Sequence, residues 1–112
     1  MTTWMLTLTL FLGGMMIALI GFPLALGRVR RNSIYGFRTS KTLSSDRAWY
    51  LGNRHSGRGM IVAGGIAMLA ALPFGLVAPW LPGTTAAWLM GLLLIGPLLF
   101  SLYSTLKYLR RF

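Results

Sequence analysis

The chain has one acidic side chain, Asp46, and one histidine, His55. General acid–base chemistry needs a positioned pair of titrating groups, and these two are the only such pair available. They are nine residues apart. On one helix that is about 2.5 turns and roughly 13 Å of rise, too far for contact. One His and one Asp make a poor metal site. With no cysteine there is no thiolate, disulfide or cysteine metal cluster. No phosphate-cradling loop, nucleophile elbow or carboxylate pair is present. The sequence therefore predicts no enzyme, no metal and no cofactor. Asp46 reads as a helix-start residue and a partner for a nearby arginine such as Arg38. His55 reads as an interfacial side chain.

The remaining polar chemistry is concentrated in one island, "NSIYGFRTSKTLSSDRAWYLGNR", Asn32 to Arg54. From Arg28 to Leu43 there is no helical period, and Asn32, Ser33, Gly36 and Ser40 favour turns. Ser44-Ser45-Asp46 then reads as a helix start. A serine hydroxyl accepts from a first-turn amide, and Asp46 suits the positive end of the helix dipole. Trp49, Gly52, Asn53 and Ser56 recur on one face. The expectation is a short amphipathic helix along the inner leaflet with Trp49 as its apolar anchor. Gly57 and Gly59 would mark a bend into the next element.

The elements around the island are apolar. More than half of the 112 residues are hydrophobic, too many for a soluble domain of this size. A bilayer core of roughly 30 Å takes about 20 apolar residues as helix. Three uncharged stretches qualify: Trp4 to Leu26, Met60 to Leu81 and Ala86 to Leu106. The first has no basic residue before it and is too long for a signal peptide, so it reads as a retained span. Gly13-Gly14 offers a smooth patch for helix approach, and the second span carries Gly64-Gly65. Pro73 and Pro97 lie within the second and third spans and tend to kink them. "LPGTT" joins these two spans as a hairpin, with Trp4 and Trp80 as interfacial anchors.

Charge sets the expected orientation. Eight of the eleven Lys and Arg lie between Arg28 and Arg58, and Lys107, Arg110 and Arg111 follow the third span. Positive loops stay in the cytoplasm. The reading is an all-α membrane protein with three transmembrane helices, amino terminus outside and carboxyl terminus inside. Every Lys and Arg then falls on one side. Burying eight of them in hydrocarbon would cost on the order of 20 kcal/mol, at about 2.5 each. Topology thus accounts for the net charge of +10 without direct nucleic-acid binding. Transport is the alternative. Ion-coupled carriers usually hold an intramembrane ionisable residue, and none exists here. A carrier or channel of three spans would need a homo-oligomer. The basic island also suits anionic lipid headgroups, at about 1 kcal/mol per cation. Charge alone does not explain why Asn32, Gly36, Thr39, Thr42, Ser45, Asp46, Trp49 and Asn53 are interspersed as they are.

The stretch "GFRTSKTLSSDRAWYLGNRHSGR" resembles the signature of the SdpI family of bacterial membrane proteins. That signature is a Gly-x-Arg-Thr core, a Thr-Leu pair, Ser-acid, then a Trp, with His or Asn-Arg four residues on and a Gly shortly after. Gly36, Arg38 and Thr39 match the core, and Thr42 and Leu43 the pair. Ser45 and Asp46 match the Ser-acid step, Asp standing where Glu is usual. Trp49 matches, Asn53 and Arg54 occupy the His/Asn-Arg position, and Gly57 matches the glycine. Ser40 and Lys41 depart from the family's frequent Pro-Trp.

The resemblance implies a bacterial cytoplasmic-membrane protein for immunity against a secreted peptide toxin. It also implies signalling through a transcriptional repressor held at the membrane. The motif residues would either shape the island or contact that partner. One domain is expected over 1–112: spans at about 4–26, 60–81 and 86–106, and a cytoplasmic motif at 28–58. Arg38 and Asp46 would fix the island by a charge-assisted hydrogen bond. Asn53 and Thr39 would satisfy backbone groups of its irregular part.

Overall fold

A computed structural model of the chain describes residues 2–32 and 34–110. Three helices run up, down and up: α1 (Thr3–Ala25), α2 (Asp46–Val77) and α3 (Gly83–Leu109). Each is long and apolar enough to cross a membrane. No strand occurs among the described residues. At 1.5 Å per residue the 32-residue α2 is about 48 Å long. It therefore sets the 50 Å long axis of the molecule.

The helices run outside the expected apolar limits mostly at one end. Where a short amphipathic helix and a bend at Gly57 and Gly59 were expected, α2 is a single uninterrupted helix from Asp46. The glycines serve close packing instead. Gly14 and Gly21 on α1 oppose Gly64 and Gly57 on α2, so two glycines seven residues apart on each helix meet in antiparallel pairs. A methyl group on Gly14 would stand 2.6 Å from the Gly64 carbonyl oxygen, and one on Gly21 would stand 2.8 Å from the Gly57 carbonyl. Without a hydrophobic force between helices in lipid, such backbone approach is what holds a pair together. Leu6, Leu10, Ala67, Ala71, Phe74, Ala78 and Ala86 continue this seam as a buried apolar cluster toward the opposite end.

The helices α2 and α3 continue through Pro73 and Pro97. A 3₁₀ turn, Ala78–Trp80, closes α2, and Pro82 caps α3. The "PGTT" segment is therefore mostly first turn of α3, and the hairpin loop proper lies before it. Packing of α3 is sparse: only Ala86, Ser101, Thr105 and Leu109 are buried on it. Leu69, Leu72 and Leu76 on α2 and Trp88, Leu92 and Phe100 on α3 face outward, as suits a hydrocarbon surround. The up-down-up order gathers every described Lys and Arg at one end of the bundle.

Candidate functional site

The island folds into an ordered cap over that end. It begins where α1 stops. Gly27 adopts a left-handed φ of 70°. Its N–H donates to the Leu24 carbonyl and the Arg28 N–H to the Pro23 carbonyl, both at 3.1 Å. This is a Schellman ending, which satisfies carbonyls that a helix terminus leaves open. Arg54 lies directly over the turn: a Cβ on Gly27 would meet its guanidinium Nε at 2.8 Å. A cation there also suits the negative end of the α1 dipole.

Next, Asn32 makes an Asx turn. Its Oδ1 accepts from the N–H groups of Ile34 at 2.8 Å and Tyr35 at 2.6 Å, while Nδ2 donates to the Arg30 carbonyl at 2.7 Å. Ser33, the neighbouring turn residue of the sequence reading, lies outside the described residues. The Tyr35 hydroxyl donates to the Ile20 carbonyl of α1. Partial burial raises the Tyr35 phenol above its ordinary pKa.

Three side chains of α2 and its lead-in then bind the irregular strand of chain. Asn53 Oδ1 accepts from the Phe37 N–H at 2.6 Å, and Nδ2 donates to the carbonyls of Phe37 at 3.3 Å and Trp49 at 2.9 Å. Trp49 is fully buried, and its indole N–H donates to the Val29 carbonyl at 2.8 Å. Thr42, also fully buried, donates through its hydroxyl to the Phe37 carbonyl at 2.9 Å. It accepts from the Thr39 N–H at 2.8 Å, and Thr39 Oγ1 accepts in return from the Thr42 N–H at 3.1 Å. Gly36 must be glycine here: its φ is 120°, and a Cβ would stand 2.8 Å from Asn53 Oδ1. Gly52 admits the Thr42 methyl in the same way, at 2.8 Å from where its Cβ would be.

At the mouth of α2, Ser45 is the N-cap, its Oγ accepting from the Ala48 N–H at 3.1 Å. Asp46 sits in the first turn and is largely exposed. Its ion pair is with Arg31, Nε to Oδ1 at 3.7 Å, and not with Arg38 as the sequence suggested. Arg31 lies beside the helix start, where it also donates to the Leu43 carbonyl at 3.2 Å. Arg38 is exposed and makes no hydrogen bond or ion pair among the described residues. His55 stacks on Tyr108 with centroids 4.5 Å apart, and its Nδ1 lies 3.0 Å from Thr105 Oγ1. It ties α2 to α3 beneath the cap.

Of the residues singled out from sequence, the structure thus joins Asn32, Gly36, Thr39, Thr42, Ser45, Trp49 and Asn53 in one backbone-satisfying network. Asp46 and Arg54 sit at its edges, and Arg38 stands apart. Trp49 is not a lipid anchor: the face it shares with Gly52, Asn53 and Ser56 is covered by protein. The main-chain groups of Val29 and Phe37, at the centre of the network, carry no side-chain signal in the sequence. Gly27 after a long apolar run was the readable clue to the turn that starts it.

At the far end of the bundle α1 and α2 stay packed, a Cβ on Gly75 standing 3.2 Å from the Thr7 methyl. They leave an open groove of about 970 Å³, lined by Thr3, Trp4 and Thr7 of α1 and Ala71, Gly75 and Leu76 of α2. Its walls are apolar with threonines along one edge. The same helix, α2, therefore forms a wall of this groove and the floor of the cap.

No curated protein and no solved structure matches the chain. One protein-family model does, across residues 28–104, which takes in the cap, all of α2 and most of α3. That is well over half of the chain, and the chain belongs to the SdpI/YfhL protein family.

Proposed function

We propose that this chain is a non-enzymatic immunity or signalling protein of the bacterial cytoplasmic membrane. It binds an amphiphilic peptide on one side and presents the folded basic cap to a cytoplasmic partner, a transcriptional repressor, on the other. The observation that carries this reading is the continuity of α2. One helix lines the apolar groove through Ala71, Gly75 and Leu76 and holds the cap through Trp49 and Asn53. A rigid helix with a distinct site at each end is a physical route for coupling them. An amphiphilic peptide suits the groove because its apolar face would meet the α1 and α2 walls and its polar backbone the threonine edge. Arg38, exposed and unengaged, would be the cap's foremost contact for a partner. The other motif residues would act by fixing the surface on which Arg38 stands.

Survival of cells with and without the chain, challenged with a panel of secreted amphiphilic peptides, tests the reading. The expected result is protection against at least one peptide. Leu76→Asn, which puts a polar amide on an exposed apolar wall of the groove, should abolish it while leaving membrane insertion intact. Equal survival across the panel would remove the immunity role.

A further inference from the structure

A second groove lies between α2 and α3, on the side of the bundle that the peptide reading does not use. It has a volume of about 750 Å³. At the cap end it is lined by Arg58 and Ser104, with His55 beside them. Toward the bundle centre it is lined by Val62, Ile66, Pro97 and Phe100. Its long dimension, from Arg58 to Ile66 along α2, is about 12 Å.

Several observations define what it fits. The groove opens sideways between two helices that are long and apolar enough to cross a membrane, so its occupant comes from the bilayer. Arg58 has no acidic partner. The only acidic side chain of the chain, Asp46, is twelve residues away on the same helix, about 18 Å by rise, and pairs with Arg31. A guanidinium is the side chain best shaped to take a phosphate by two parallel hydrogen bonds, and Ser104 adds a hydroxyl donor. Behind this head site the lining is apolar. Of the two glycines that line it, Gly59 is pressed by Ser101, and Gly96 is not explained by protein packing. A Cβ on Gly96 would meet only Leu92 of its own helix, at 3.8 Å, whereas Gly14 and Gly64 are pressed by backbone. Gly96 leaves the lane open at the expense of helix propensity.

We infer that this groove is a binding site for one anionic phospholipid, its phosphate held by Arg58 and Ser104 and an acyl chain laid along Val62, Ile66, Pro97 and Phe100. Basic pockets between membrane helices at the headgroup level take anionic lipids in this way. The site stands apart from the peptide groove and does not depend on it.

Native mass spectrometry of the full chain, released from micelles containing equal phosphatidylglycerol and phosphatidylcholine, tests the site. The wild-type chain should retain one phosphatidylglycerol in preference. Arg58→Gln should lower that retention at least about fivefold. Arg58 is exposed and unpaired with any acid, so this variant should keep the fold, checked by circular dichroism. Gly96→Leu, with Arg58 intact, should lower retention of both lipids by blocking the lane. Arg47→Gln, an exposed cation of the same helix outside the groove, should change nothing. An equal loss for Arg47→Gln would mean diffuse surface charge and overturn the site. So would unchanged retention in Gly96→Leu, or displacement of the lipid by glycerol phosphate, because either would leave the apolar lane without a part.

Discussion

Asn53 and Phe37 exchange hydrogen bonds as facing residues of two strands would. The Asn53 amide accepts from the Phe37 N–H at 2.6 Å and donates to the Phe37 carbonyl at 3.3 Å. A helical side chain thereby serves as the pairing partner of an irregular segment that has no strand beside it. The orientation of the amide is set by the network, since a flipped amide would oppose donor to donor at Phe37. A further bond to the Trp49 carbonyl, at 2.9 Å, fixes the side chain on α2.

Asn53→Ala should loosen the cap without unseating the bundle. It leaves the Phe37 N–H without its acceptor, a loss of about 1–3 kcal/mol. Asn53→Asp should be no better, because its second oxygen faces the carbonyls of Phe37 and Trp49. The measurement is the rate of trypsin cleavage after Arg38 and Lys41 in micelles, set against helix content. Both variants should be cut faster at unchanged helicity. Cleavage at the wild-type rate would show that the pairing does not hold the segment.

The glycines separate by what faces them. Gly57→Ala and Gly64→Ala should each destabilise the α1–α2 pair, because the new methyl group meets backbone that cannot turn away. Overpacking of this kind costs about 1–3 kcal/mol. A Cβ on Gly65 meets nothing within 4 Å. Gly65→Ala should therefore be neutral or gain up to about 1 kcal/mol of helix propensity. Unfolding of the three variants in mixed micelles with denaturing detergent checks the order. A Gly65→Ala loss equal to that of Gly64→Ala would contradict the packing.

Much of this architecture was legible in the sequence, and the illegible part has a common cause. The three apolar runs and the Ser45–Asp46 start follow from local chemistry, so α1, α3 and the start of α2 fall where hydropathy and capping put them, whereas Gly57 and Gly59, expected as a bend, pack against α1 and α3 within one continuous α2. The roles of Asn53 and Thr39 as partners for open backbone were also readable, since an irregular segment must find donors and acceptors somewhere. What was not readable is which groups meet through space. Arg31 and Arg38 are equally plausible partners for Asp46 along the chain, and only the folded path of the cap, which also brings Arg31 to the Leu43 carbonyl, selects Arg31. Trp49 on a polar helical face looks like a lipid anchor until the Val29 carbonyl is folded over it. The pairing of Gly14 with Gly64 and of Gly21 with Gly57 needs the antiparallel register, which neither helix encodes alone.

The distribution of charge predicts the orientation of the cap. Every described Lys and Arg lies at one end of the bundle, and the other end carries the uncharged turn from Ala78 to Pro82. Moving one positive charge against a membrane potential costs about 2.3 kcal/mol per 100 mV, and translocating eight cations of the cap would meet that opposition together. The chain has no cysteine, so single cysteines can be placed without background. Ser40 in the cap and Thr84 at the start of α3 are both exposed. In intact spheroplasts an impermeant maleimide should label Thr84→Cys at once and Ser40→Cys only after permeabilisation. The reverse pattern would place the cap outside the cell. A cytoplasmic partner would then be ruled out, and the groove beside Thr7 and Gly75 would open toward the cytoplasmic side.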